Sequence, residues 1–226
     1  MKNNYNKYFK LFLNKNKSFY EDIERPNRTL IVSVTNDLIF NTILLKFGKV
    51  ISEIENSNII FFPFLKHNKE INKLAKSFKV LISINVFLSF TWTFIKYFFN
   101  ILKHLIKIHD GSALESFHIN SIPIGKHIYD FVLRKYRIPS LNKFKFIHRV
   151  YISICIVYYF LIRDLITKHN IKSVVTLDNV YIEGVVFELS RSLNLKMYTG
   201  FDINLLTLHL FENELDYGKH CRTPDK

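Results

Sequence analysis

The chain has 226 residues, 48% of them hydrophobic, and a formal net charge of +13 at pH 7. This length allows one large or two small domains, and the composition is sufficient for a buried core. The only two cysteines, Cys155 and Cys221, lie far apart, which excludes a disulfide framework and favours a reducing compartment. The amino terminus is rich in Lys and Asn and lacks the apolar run of a signal peptide, so we expect a cytoplasmic protein.

Three kinds of partner fit the positive charge: nucleic acid, an anionic membrane surface, and anionic substrates such as nucleotide-sugars or lipid diphosphates. The lysines are scattered over many segments, with no long Lys/Arg run and no nucleic-acid-binding motif. Nucleic acid is therefore the least favoured of the three.

The sequence predicts a basic arm or helix over residues 1–28 and an α/β domain over residues 29–226. Thr29–Val34 predicts a strand, and the polar residues Thr35, Asn36 and Asp37 after it suit the start of a helix from Leu38 to about Glu55. Ile59–Phe64 predicts the next strand, which completes a β-α-β unit. The apolar positions expected to form the buried face of the helix are Ile39, Ile43, Leu44, Phe47, Val50, Ile51 and Ile54.

Two apolar segments raise the question of a membrane span. Val80–Leu102 has the length of one. It contains seven polar residues, including Lys96, and a mid-bilayer lysine costs about 3 kcal/mol. These residues favour one or two helices packed on the sheet or lying at a membrane surface. The apolar run within Arg149–His169 is too short to span, which favours a core helix.

The stretch from Ile171 to Phe201 predicts a second strand–helix–strand unit. A strand over Ser173–Leu177 ends at Asp178 and Asn179, which favour turns and helix starts. A helix from Tyr181 has Val185, Val186, Leu189 and Leu193 on its apolar side and Glu183, Glu188 and Arg191 on its polar side. Lys196–Phe201 predicts the closing strand.

Two β-α-β units together predict a Rossmann-like parallel sheet flanked by helices. Ligands of such sheets bind at the carboxyl ends of the strands, where Asp178, Asn179 and Tyr181 are expected. The first strand–helix junction has no Gly-rich fingerprint, so no dinucleotide cofactor is expected.

The segment from His109 to Leu141 is rich in polar residues, and the part after Gly125 predicts a short helix to about Arg137. Gly125 would let the backbone approach a ligand, while Lys126, His127 and Arg134 would bind negative charge. The alternative is a structural connection with solvated cations. The histidine spacings predict no metal site.

Two stretches resemble a known family. The string IPIGKHIYDFVLRKY at 122–136 resembles the G-I-x-I-G-D-x-I-Y-D-x-Y-L-R element of bacterial surface or capsular polysaccharide biosynthesis proteins. The string VVTLDNVYIEGVVFELSRSLNLKMY at 174–198 resembles their D-x-x-Y-x-x-G-x-x-x-R-x-A element. Lys126 replaces an acidic residue of the pattern, and Ser121 replaces a glycine. These proteins are glycosyltransferase-like, with two Rossmann-type halves of the kind called GT-B.

The resemblance implies that this chain is the amino-terminal, acceptor-side half of a sugar transferase, with the carboxyl-terminal half absent. Such a half supplies the base that accepts the proton of the acceptor hydroxyl. The candidate catalytic residues are Asp37, Asp178, Asp130 and His118, and His127 is a further candidate. Their structural alternatives are a helix N-cap for Asp37, a turn for Asp178 and an ion pair with Arg134 for Asp130. The candidate substrate-binding residues are Asn36, Gly125, Lys126, His127, Tyr129, Arg134, Asn179 and Tyr181.

The implied partners are a nucleotide-sugar donor, as substrate rather than cofactor, and a glycan or lipid-linked acceptor. The implied location is the cytoplasm, with peripheral contact to the inner face of the cell membrane as an option. The alternative function is a non-catalytic, membrane-associated partner of a polysaccharide-assembly complex, which Val80–Leu102 would dock onto anionic lipid; a third option is an integral membrane protein. The central expectation is that Asp37 and Asp178 follow neighbouring parallel strands and open into one cleft beside residues 122–136.

Overall fold

The structure is a computed structural model that describes residues 2–20, 24–35, 37–63, 69–80, 82–83, 86–178, 181–202 and 207–211. The chain divides into two compact units, the first comprising Met1–Val86 and Asn170–Val175, the second Phe87–His169 and Thr176–Lys226. In chain order the elements are α1 (Lys2–Phe19), β1 (Asn27–Ser33), α2 (Leu38–Ile54), β2 (Ser57–Pro63), α3 (Lys69–Ser77), β3 (Ile82–Ser83), α4 (Val86–Lys107), α5 (Gly111–Glu115), β4 (His118–Ile119), β5 (Ile122–Pro123), α6 (Gly125–Tyr136), α7 (Phe146–His169), β6 (Ile171–Thr176), α8 (Tyr181–Ser192), β7 (Lys196–Asp202) and β8 (Thr207–Phe211).

The first unit is built on a four-stranded, all-parallel sheet in the order β3-β2-β1-β6. Its central strands align Leu30 with Ile60 and with Val174, and all three side chains are fully buried. The apolar, largely β-branched sequences of β1 and β6 suit strands that are covered on both faces. The predicted mixed α/β fold with a helix-flanked parallel sheet is confirmed, and it is compatible with a Rossmann-like fold.

A buried hydroxyl cluster joins three of these strands. The Thr29 Oγ1 lies within hydrogen-bonding distance of the Ser57 Oγ on β2 and 2.7 Å from the Ser173 Oγ on β6. All three residues are buried, and the cluster satisfies polar groups that would otherwise be costly inside a core. It fixes the neighbouring positions of β2, β1 and β6 near the start of the strands.

Helix α2 begins where the sequence predicts, and Leu44 and Ile51 are buried as predicted, but the buried face is rotated away from the rest of the predicted set. Buried positions include Leu45 and Gly48, whereas Ile39 and Ile54, expected to be buried, are exposed. A Cβ at Gly48 would lie only 2.0 Å from Ile31 Cδ1, so the helix contacts β1 through its smallest residue. Close approach at a glycine, rather than the largest apolar stripe, sets the rotation of the helix. Val50, also expected inside, is exposed as well.

The predicted basic arm or helix is the helix α1, in the first unit. Its Asn16 side-chain amide donates to Ser77 Oγ at the end of α3, at 3.4 Å. Just beyond α1, Tyr20 packs against Phe78 with ring centroids 5.1 Å apart. These two contacts attach the end of α1 and the residue after it to the end of α3.

The long helix α7 supplies much of the core of the second unit, with Cys155, Tyr158 and Tyr159 among its buried residues. Within the described residues, α7 is also the one helix long and apolar enough to cross a bilayer, and 61% of its most apolar stretch is buried in the protein. This burial agrees with the predicted core helix.

The second unit also contains two antiparallel strand pairs that the sequence did not predict. The short strands β4 and β5 pair His118 with Pro123 and Ile119 with Ile122. The predicted strand at Lys196 is confirmed as β7, but β8 then pairs with it antiparallel. The closing YGKHCRTPDK, expected to lead into a second half, lies outside the described residues.

Candidate functional site

The two leading carboxylates belong to different units, Asp37 to the first and Asp178 to the second. The strands that precede them, β1 and β6, are parallel neighbours, as predicted. The Asp37 Oδ1 accepts hydrogen bonds from the backbone N–H groups of Ile39 at 2.7 Å and Phe40 at 3.1 Å. Asp37 is thus the N-cap of α2, its structural alternative, while a cleft shared with Asp178 stays a prediction. Asn36 and Asn179 lie outside the described residues.

The junction between β6 and α8 gathers the candidate residues of the second unit. The Thr176 Oγ1 donates to the backbone carbonyl of Asp178 at 2.7 Å, which holds the turn after the strand. Asp178 is half-buried, and α8 begins soon afterwards with Tyr181 in a left-handed conformation, at φ 52°. That conformation is uncommon outside glycine and asparagine, and such strained positions concentrate at functional sites.

Glu183, in the first turn of α8, is the most unusual ionisable group at the junction. It is only 6% exposed, and its Oε1 is buried without a hydrogen-bond partner among the described residues. Burial and, to a smaller extent, the charge of Asp178 raise the pKa of Glu183, the Leu177 backbone amide partly opposes the shift, and the resulting pKa is about 8. Glu183 is therefore protonated at neutral pH.

Tyr158 of α7 lies close enough to Glu183 for their charges to interact. The residue is fully buried, and burial raises the pKa of Tyr158 well above its ordinary value, with the Glu183 charge adding to the effect. A neutral phenol thus stands beside a neutral carboxyl group. Together with Asp178 they form the acidic cluster of the junction: Asp178, Glu183 and Tyr158.

Glu183 and Glu188 were predicted on the polar side of α8, and this was wrong, because both are buried. The positions of the neighbouring apolar residues around the helix carry the signal that was missed. At about 100° per residue, Glu183 falls between Val186 and Phe187 around the helix, so apolar residues flank it on both sides. A carboxyl group between two apolar neighbours on a helix is a candidate for burial.

A second set of contacts joins α6 to α8. The imidazole of His127 lies against Gly184, and its Nε2 is 3.7 Å from Glu188 Oε1. The other carboxylate oxygen of Glu188 is 2.8 Å from Arg191 Nη2. Glu188 is thus a buried carboxylate between a histidine and an arginine, and the charge of Arg191 offsets its loss of hydration.

Arg134 of α6 lies over the ring of Tyr181, with its guanidinium carbon 4.6 Å from the ring centroid. The alternative role given to Asp130, an ion pair with Arg134, is not found among the described contacts. Burial raises the pKa of Asp130, Glu115 adds to the shift, and Lys126 and His127 oppose it. Through its contact with Tyr181, Arg134 brings a positive charge to the first residue of α8.

Two of the remaining candidates, Gly125 and Tyr129, serve local packing. A Cβ at Gly125 would lie 2.0 Å from the Leu114 carbonyl oxygen, so the chain itself occupies the space that a glycine leaves. The Tyr129 ring packs beside Gly111. His118 Nδ1 is 2.6 Å from the carbonyl oxygen of Ser116, and its side chain, like that of Lys126, is exposed.

No family model, curated protein or solved structure matches this chain. The likeness to polysaccharide biosynthesis proteins therefore depends on the two motif stretches alone. These two stretches contain the contacting residues described above. His127 and Arg134 lie in the stretch 122–136, and Asp178, Glu183 and Glu188 lie in the stretch 174–198. Among the described residues, no three His, Cys, Asp or Glu side chains come together as metal ligands do.

Proposed function

We propose that the chain is a glycosyltransferase-like protein of bacterial surface polysaccharide biosynthesis, in a GT-B-like form, and that it supplies the acceptor side of sugar transfer. The observation that carries the proposal is that the charge of Asp178, just after a strand of a parallel sheet, raises the pKa of the buried carboxyl group of Glu183. Two neighbouring carboxyl groups in different environments divide acid and base roles between them, because the buried one holds its proton.

In this proposal Asp178 is the base, since it is the less buried of the pair. An acceptor hydroxyl gives its proton to Asp178 while its oxygen forms the new bond to the anomeric carbon. The bond from that carbon to the donor phosphate breaks, and the nucleoside diphosphate leaves with the electron pair. Glu183 acts as a positioning residue, because its neutral form adds no second negative charge beside the base.

The basic residues of α6 suit the negatively charged donor of the reaction. His127, Lys126 and Arg134 lie on one helix that packs against α8, and Arg134 reaches Tyr181 at its start. A diphosphate carries the charge that these groups attract, and a planar guanidinium binds phosphate oxygens in pairs.

The test is release of nucleoside diphosphate from a panel of nucleotide-sugars by the full chain. Asp178→Asn is expected to reduce turnover about 100-fold, in the range of a lost general base. Asp110→Asn is the matched control, because Asp110 is the N-cap of α5, where asparagine caps a helix as well as aspartate does while removing the same charge. Equal turnover in the Asp178→Asn variant and the parent protein, or no binding and no release with any donor, contradicts the proposal.

The second candidate function is a non-catalytic, membrane-associated partner of a polysaccharide-assembly complex. It is favoured by the large apolar side chains that α4 exposes, such as Trp92 and Phe99. Turnover that depends on Asp178 separates the two candidates, because a non-catalytic partner has none.

A further inference from the structure

Helix α4 carries a line of large apolar side chains on its outer surface. Trp92, Ile95, Phe99, Leu102 and Ile106 follow one another at intervals of three or four residues and are between 45% and 82% exposed. We call these five residues the α4 stripe. Helices of globular domains normally turn such a stripe towards the core, and contiguous exposed apolar surface marks an interaction site.

The opposite face of α4 already holds the helix in the second unit. Tyr97 stacks on Phe160 of α7 with ring centroids 4.4 Å apart, and its hydroxyl donates to Asp164 Oδ1 at 2.7 Å. Thr93 and Ile101, on the same face as Tyr97, are buried. The packing of α4 in its own unit therefore uses the opposite face of the helix and leaves the α4 stripe exposed.

The charges around the stripe are mostly positive. Helix α4 contains no aspartate or glutamate, and Lys96, Lys103 and Lys107 follow one flank of the stripe. A groove of about 590 Å³ between α4 and α7 continues this flank with Arg163 and Lys168. Its acidic residue, Asp164, is already paired with Lys96 at 2.7 Å.

We infer that the α4 stripe docks the protein onto an anionic phospholipid bilayer, with α4 lying in the plane of the interface. The apolar side chains enter the boundary between headgroups and acyl chains, and the lysines meet the lipid phosphates, the pattern of an interfacial amphipathic helix. A spanning orientation does not fit, because the inner face of α4 is held by α7. Pairing with a second copy is disfavoured, since two helices without acidic residues would bring their lysine rows together.

The experiment is flotation of the full chain with vesicles of phosphatidylcholine, with or without about 30% phosphatidylglycerol. Binding to the anionic vesicles is expected to be at least about tenfold tighter and to weaken with salt. Phe99→Gln is expected to weaken binding about tenfold, because it removes one large apolar side chain from the interface. Phe146→Gln is the matched control: Phe146 is 83% exposed and Phe99 82%, but Phe146 lies outside the stripe.

The paired charge reversal Lys103→Glu with Lys107→Glu is expected to weaken binding to anionic vesicles roughly tenfold and to leave the fold intact. Absence of binding at low salt overturns the inference, as do equal losses in the Phe99 and Phe146 variants. A lipid-free dimer that Phe99→Gln dissociates also overturns it, in favour of a second copy as the occupant. The inference is independent of sugar transfer, since Asp178→Asn is expected to bind vesicles like the parent protein.

Discussion

The imidazole of His127 occupies the space that a side chain at position 184 would need. A Cβ at Gly184 would lie 2.0 Å from His127 Nδ1 and 2.5 Å from its Cε1. The glycine in α8 thus lets α6 and α8 approach closely enough for His127 to reach Glu188. The two family-like stretches of the sequence meet at this contact.

Gly184→Ala is expected to destabilise the protein by about 1–3 kcal/mol, the range of overpacking in a core. The same substitution made together with His127→Ala is expected to stabilise that background by up to about 1 kcal/mol, because alanine is the better helix former once the imidazole is gone. Chemical denaturation of the two single variants and the double variant measures this reversal. A Gly184→Ala effect of the same sign and size in both backgrounds contradicts the contact.

Glu183 is expected to make stability fall as the pH rises. The pKa of Glu183 is raised to about 8, so above its ordinary value near 4.5 the unfolded chain loses this proton while the folded protein keeps it. The free energy of unfolding should therefore decrease between about pH 4.5 and 8, by several kcal/mol at about 1.4 kcal/mol per pKa unit.

Glu183→Gln tests this pH dependence by denaturation at pH 5 and pH 8. The variant should gain stability relative to the parent protein as the pH rises, because glutamine keeps the shape and has no proton to lose. Glu53→Gln, at an exposed position on α2, is the control. Its difference in stability between pH 5 and pH 8 should equal that of the parent protein. A constant difference between Glu183→Gln and the parent protein at both pH values excludes a buried, protonated carboxyl group.

Substitutions of the two partners of the Glu188–Arg191 pair are expected to destabilise the protein by different amounts. The Glu188 side chain is 7% exposed and that of Arg191 is 25% exposed, so an unpaired arginine can reach water while an unpaired glutamate stays buried. Arg191→Gln should cost about 2–3 kcal/mol at neutral pH and Glu188→Gln about 1 kcal/mol. Equal costs of the two substitutions argue against the pair.

Much of the chain's organisation follows from its sequence. The strand before Asp37, the strand before Asp178 and the helix after Gly125 lie where the apolar patterns predict, because β-branched runs and polar turn residues act locally. The rotation of α2 could not be predicted, since it depends on Gly48 meeting Ile31, a contact between residues of different elements. Strand β8 was missed because its pairing with β7 is visible only in three dimensions.

The candidate site was predicted in part. Its location at Asp178 and at the 122–136 segment came from strand-end geometry and the motif resemblance. The burial of Glu183 and Glu188 was missed, because charged residues were assigned to solvent by type rather than by their position around the helix. The structural alternative for Asp130 was an ion pair with Arg134 one turn away, yet Arg134 lies over Tyr181 on another helix, a contact that depends on tertiary packing.

The most direct test is the titration of the Glu183 carboxyl carbon, followed by NMR in protein labelled with ¹³C at glutamate and assigned by comparison with Glu183→Gln. The account predicts a midpoint of about 8, and a lower midpoint in Asp178→Asn, where the neighbouring negative charge is absent. A midpoint near the ordinary glutamate value of about 4.3, unchanged by Asp178→Asn, would contradict it.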